Sequence, residues 1–267
     1  MVPRTMPAHS PSAVISVAIP GLAALLSGLF VFGVACAERL RGARAPRALL
    51  RAGISGLGVL AWAALALALA HSGLLARFDA RPPPFMVLLA LTFALCLLLA
   101  FSRFGERLAL DLPLWALVGF QAFRLPLELV LHRAVEDGVL PVEMSYAGYN
   151  FDILSGISAL LLGIALWNGR AGARAVRIWN LLGFLLLANI VTIAVLATPR
   201  FHAFGPTHLN TLVAEPPFVL LPTILVQAAL LGHILVFRRL RVLTRLNESS
   251  GTGSTDPHHP DTAPVKG

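Results

Sequence analysis

Gln121, Arg124, Glu128 and His132 lie three, four and four residues apart in a stretch otherwise made mostly of Leu, Val, Phe and Ala. At 100° per residue they share an arc of about 80° on one helix face. A guanidinium, a carboxylate and an imidazole on one face could hold an anionic group or move protons. Ionisable side chains are costly inside a bilayer, so a stripe of them there is a functional hypothesis by default. Arg124 and Glu128, four apart, are expected to pair, although this order is the less favoured one for a helix. Pro126 between them frees the carbonyl of Ala122 and predicts a kink. A buried pair that only fixes helix packing is the competing reading.

Such a helix needs partners. Arg and an acidic residue at mid-span each cost about 2.5–3.5 kcal/mol on insertion scales, while each Leu, Phe or Val offsets about 0.3–0.6. The margin is small, so the stripe must face the inside of a bundle. Asn189, central in a later apolar segment, is the expected partner of Arg124 or Glu128. Asn180, Gln227 and His233 read as packing residues that bond between helices, with His233 snorkelling toward one end.

A second polar cluster follows the stripe: Glu136, Asp137, Glu143, Tyr146, Tyr149, Asn150 and Asp152. Asn150 or Asp152 is expected to cap the next helix. His202, His208, Asn210 and Glu215 precede the last apolar segment. Histidines and carboxylates meeting there could hold a metal, but no HExxH motif, cysteine pair or tight His spacing supports one. No metal and no cofactor is expected.

The elements that must position these groups are membrane spans. The 267 residues are 57% hydrophobic and 13% charged, against about 25% charged in a soluble domain. The apolar blocks approach the roughly 20 residues that a bilayer crossing needs. An all-α bundle of seven transmembrane helices is expected, at about 13–36, 52–75, 84–101, 112–132, 152–168, 177–197 and 217–237. These make one transmembrane domain, 1–246, followed by a polar tail, 247–267, too poor in apolar residues to fold.

The net charge is +8, carried by 20 Arg and the single Lys266. The Arg residues sit in short loops between apolar blocks, which speaks for topology and against a nucleic-acid partner. Alternate loops carry 15 and five basic residues. The richer set includes Arg39, Arg41, Arg44, Arg47 and Arg51, then Arg103 and Arg107, then Arg170, Arg174 and Arg177. The positive-inside rule puts those loops in the cytoplasm and the N-terminus outside. Gly33-Val-Ala-Cys36 faintly resembles a lipobox, but the first apolar stretch is longer than a signal peptide's and strong positive charge follows it. An uncleaved first helix is therefore expected. Cys36 and Cys96 fall within spans and read as buried thiols, not a disulfide framework. Trp115, Trp167 and Trp179 read as interface anchors.

Several chemistries are excluded. The last helix has no Lys, so no retinal Schiff base can form there. GxSxG, GxGxxG and P-loop patterns are absent, as is a run of regularly spaced arginines.

Three stretches carry a resemblance: Gln121-Ala-Phe-Arg124 with Glu128, Asn150-Phe-Asp152-Ile-Leu-Ser-Gly156, and Asn210-Thr211 followed by Pro216 through Pro222. They resemble an uncharacterised family of bacterial multi-pass membrane proteins. The resemblance implies a protein of the bacterial cytoplasmic (inner) membrane and no particular activity.

The first functional expectation is a carrier or channel for a small polar or anionic solute. Arg124 would hold the anionic group and Glu128 would exchange protons. The site would comprise Gln121, Arg124, Glu128, His132, Asn150, Asp152 and Asn189. The alternative is a membrane-embedded enzyme acting on a lipid or prenyl substrate through Glu128, His132 and Asp152. A third is a non-catalytic sensor or assembly component. The lipid bilayer is a partner in every case.

Overall fold

The computed structural model describes residues 12–252. Nine α-helices and no strand occur among the described residues. α1 (Ala13–Leu40) and α2 (Ala45–His71) form an antiparallel hairpin. Its tight turn places Gly42 at φ +82°. α2 starts seven residues before the expected span, because Pro46 suits a first turn and the helix simply carries Arg47 and Arg51 beyond its apolar part.

α3 (Pro84–Phe101) matches its expected bounds. The short basic loop that follows contains an amphipathic helix, α4 (Arg103–Asp111). The hydroxyl of Ser102 starts it by accepting from the backbone N–H groups of Phe104 and Gly105, at 3.1 and 3.2 Å.

The striped helix comes in pieces. α5 (Leu114–Gly119) passes through a 3₁₀ turn at Phe120–Phe123 into α6 (Arg124–Glu136). Pro126 explains the break. It is the third residue of α6, where its missing N–H costs least, and the tighter turn lies just before it. The expected irregularity is therefore real, but lies on the N-terminal side of the proline.

α7 (Ile153–Trp167) has 15 residues, about 22 Å at 1.5 Å per residue. α8 (Ala173–Leu196) follows. A π-helical turn at Leu221–Leu225 then leads into α9 (Val226–Thr252). α9 thus extends past residue 246, where a tail was expected to begin, and the rest of that tail lies outside the described residues.

Six helical segments are long and apolar enough to cross a membrane: Ala13–Leu40, Ala45–His71, Pro84–Phe101, Leu114–Glu136, Ala173–Leu196 and Leu221–Arg245. α7 is the shorter apolar helix beside them. The last span is the most enclosed, and α3, α4, α5 and α8 pack around it. α2 is the least enclosed and packs chiefly on α1. Trp179 corrects the anchor reading: it is buried and its indole N–H donates to Ser158, at 3.0 Å.

The basic loops converge on one end of the bundle. Arg41 pairs with Asp111 there. Arg51 and Arg107 approach Glu38 at 2.5 and 3.8 Å. Arg238 donates to the carbonyls of Ala100 and Ser102 and to Glu106. Arg177 donates to Thr244. Such contacts tie α1, α2, α4, α8 and α9 together at their basic ends. At the opposite end the backbone N–H of Ser12 donates to Asp137, at 3.2 Å, and His208 meets Glu143 at 2.8 Å.

Candidate functional site

Three of the four stripe residues face inward as their spacing requires: Gln121, Arg124 and Glu128 are each 0–1% exposed. The fourth does not join them. His132 is half-buried, stacks on Tyr146 with ring centroids 4.2 Å apart and lies 3.7 Å from Glu136. The loop after α6 folds over it and draws it to the periphery.

Arg124 does not pair with its helical neighbour Glu128. Its partner is Asp152, at the start of α7. Nε donates to Asp152 Oδ2 at 2.6 Å, and Nη2 donates to Oδ1, making a two-pronged contact. A fork matched to a carboxylate is a stronger contact than a one-point bond along a helix face. The Asp152 carboxylate is therefore spent on Arg124 and does not cap α7.

Gly156 makes this possible. A Cβ there would collide with the backbone nitrogen of Leu125, so α7 crosses α6 in direct contact, one residue beyond Arg124. The crossing sets Asp152 beside the guanidinium.

Nη1 of Arg124 has two further partners, the Gly183 carbonyl at 3.2 Å and His233 Nε2 at 2.8 Å. Arginine has no acceptor, so Nε2 must accept. His233 is then the neutral tautomer carrying its proton on Nδ1. That proton goes to Asn180 Oδ1, at 2.8 Å, while Asn180 Nδ2 donates to the His233 carbonyl at 3.1 Å. Gly183 must be glycine for the same packing: a Cβ would lie 2.8 Å from the His233 ring. His233, expected to snorkel, is instead 0% exposed and part of the core network.

Glu128 is held differently. Asn150 Nδ2 donates to Oε1 at 2.6 Å and to the Met144 carbonyl at 3.1 Å. The other carboxylate oxygen, Oε2, is buried without a partner. Asn150 Oδ1 accepts from the backbone N–H of Asp152 at 3.1 Å, a local turn linking the two acids. Gln121 donates to the Ala229 carbonyl at 2.9 Å and fastens the 3₁₀ turn to α9.

Asn189 is corrected. It is exposed on α8 and donates to the Tyr149 carbonyl at 2.8 Å, so it meets neither Arg124 nor Glu128.

A narrow cleft of about 80 Å³, part of it open to the outside, borders Arg124, Glu128 and Asp152. Phe85, Leu89 and Phe93 of α3 line one side, and Leu187, Ile190, Val191 and Ala194 of α8 another. Leu127 and Leu131 of α6, with Leu221, Leu225 and Ala229, complete an apolar enclosure. Asn210 also lines it, and its Oδ1 is buried without a partner. Its Nδ2 donates to the Ala194 carbonyl at 3.1 Å, which fixes the amide's orientation.

Residues 83–241 match the family described as Domain of unknown function (DUF8737). The chain belongs to that family. The matched region takes in Arg124, Asp152, His233, Glu128 and the cleft, and leaves α1 and α2 outside it. Neither the curated proteins nor the solved structures contain a match. The three stretches that carried the sequence resemblance all fall within this family region.

At the end of the bundle opposite the basic loops, His208 and Glu143 form a pair, but no group of three or more potential metal ligands occurs among the described residues. Cys36 and Cys96 are both free thiols.

Proposed function

We propose that this family member is a seven-pass membrane protein that takes an apolar-tailed molecule from the bilayer into the cleft between α3 and α8. The polar end of that molecule lies beside Glu128. The observation that carries this reading is the unpartnered Glu128 Oε2 in a residue 1% exposed that lines a mostly apolar cleft. A buried polar atom without a partner costs stability, so its retention points to a ligand that supplies one.

Six span-length helices with short α7 as the seventh crossing support the topology. The basic loops gathered at one end favour a cytoplasmic C-terminus and an outside N-terminus. The cleft then lies in the outer half, and the bacterial cytoplasmic membrane is the proposed location.

A carrier that grips an anion through Arg124 is less favoured. Four of its five N–H bonds are committed and Asp152 already neutralises it. An enzyme using Glu128, His132 and Asp152 together is less favoured too, because His132 does not line the cleft.

The test is extraction and mass spectrometry of apolar molecules that copurify with the protein. Ala194→Trp, which fills the cleft, should strip them while leaving a folded, monodisperse protein. Equal amounts retained by wild type and this variant would sink the reading.

A further inference from the structure

Resting on that reading of the cleft, we infer that its ligand is a long-chain amine, held with the ammonium head on Glu128. Two independent observations point the same way. Two residues that line the cleft, Glu128 and Asn210, each keep a buried oxygen without a partner, Oε2 and Oδ1. Carboxylate and amide oxygens of this kind call for a donor on the ligand.

The second observation is the charge balance. Arg124 and Asp152 cancel in their two-pronged pair. His233 is neutral, because its Nε2 accepts from Arg124 and its Nδ1 donates to Asn180. Glu128 makes no ion pair among the described residues, and the Asn150 amide is its one side-chain hydrogen-bond partner. A buried charge is stable only when paired. A ligand ammonium supplies both the missing charge and up to three donors. The apolar walls accept the chain behind it. An anionic amphiphile such as a fatty acid carboxylate would bring acceptors and no donor for these two oxygens, which disfavours it.

The test is native mass spectrometry of the full chain in detergent micelles. Dodecylamine, dodecanol and dodecanoate are offered at equal concentration. Wild type should retain the amine about tenfold better than the alcohol, and the carboxylate least. Glu128→Gln should bind amine and alcohol alike, while Glu128→Asp, which keeps the charge, should restore a preference for the amine. Ala194→Trp should lose all adducts with Glu128 intact, which keeps the test meaningful should Glu128→Gln fail to fold. Equal binding of amine and alcohol by wild type, or an amine preference that survives Glu128→Gln, overturns the head-group assignment and leaves the cleft reading standing. Failure of all three probes to bind overturns both.

Discussion

Asp152 and Glu128 are both buried acids, joined through Asn150, yet they are held in opposite ways. Both oxygens of Asp152 meet the Arg124 fork. Glu128 has one oxygen bonded and one bare. The first arrangement is what a bundle needs to keep a charge inside it. The second is what packing alone would not retain, because an apolar residue of similar size would remove the penalty. One patch of the protein thus contains a structural ion pair and a functional candidate side by side. A hydrogen-bond inventory separates them where burial does not, since both acids are nearly inaccessible.

The largest expected effect tests the structural half. Asp152→Asn leaves Arg124 charged, buried and unpaired, and should cost about 3–5 kcal/mol in unfolding from mixed micelles. Replacing both partners, Arg124→Leu with Asp152→Leu, should recover most of that loss, because only a lone buried charge is so costly. An Asp152→Asn protein as stable as wild type would erase the difference between the two acids.

A smaller effect tests the functional half. Glu128→Gln keeps an acceptor for Asn150 and removes an acid that makes no ion pair among the described residues. Its stability should stay within about 1 kcal/mol of wild type, or rise. A loss as large as that of Asp152→Asn would make Glu128 structural as well, and the two acids equivalent.

The sequence stripe and the structure agree where periodicity decides the matter. Gln121, Arg124 and Glu128 share a face because a helix repeats every 3.6 residues, and a brief 3₁₀ turn does not destroy that. Partner choice is not a local property. Glu128 is four residues from Arg124 and Asp152 is 28, but Gly156 lets α7 come close enough for a two-pronged contact. Nothing in the spacing of Arg124 and Glu128 carries that information. Asn189 failed for a reason that was legible. It lies nine residues from Asn180, about half a turn around α8, so only one of the two can face the core. Asn180 does so, because Gly183 lies one turn on and opens space for His233. Six helices long and apolar enough to cross a membrane were readable from apolar runs alone. Amphipathic α4 was hidden because its stabilising contacts come from distant residues such as Arg238 on α9.

The smallest expected effect lies at the end of the bundle opposite the basic loops. The Ser12 hydrogen bonds, helped by Arg133, hold the Asp137 carboxyl below the ordinary carboxylate range. A lowered folded-state value means the contribution is complete above the unfolded carboxylate's pKa, about 3.9. It is lost as the pH falls through the lower folded value. Asp137→Asn should therefore differ from wild type at neutral pH and converge with it in acid. Because Arg133 is exposed and Asp137 half-buried, salt should shrink the difference. Glu128, with no solvent around it, should show no such salt dependence in its response to Glu128→Gln. If both substitutions respond to salt alike, Glu128 is reached by water and ions. It would then be better described as part of an open vestibule than as the closed end of an apolar cleft.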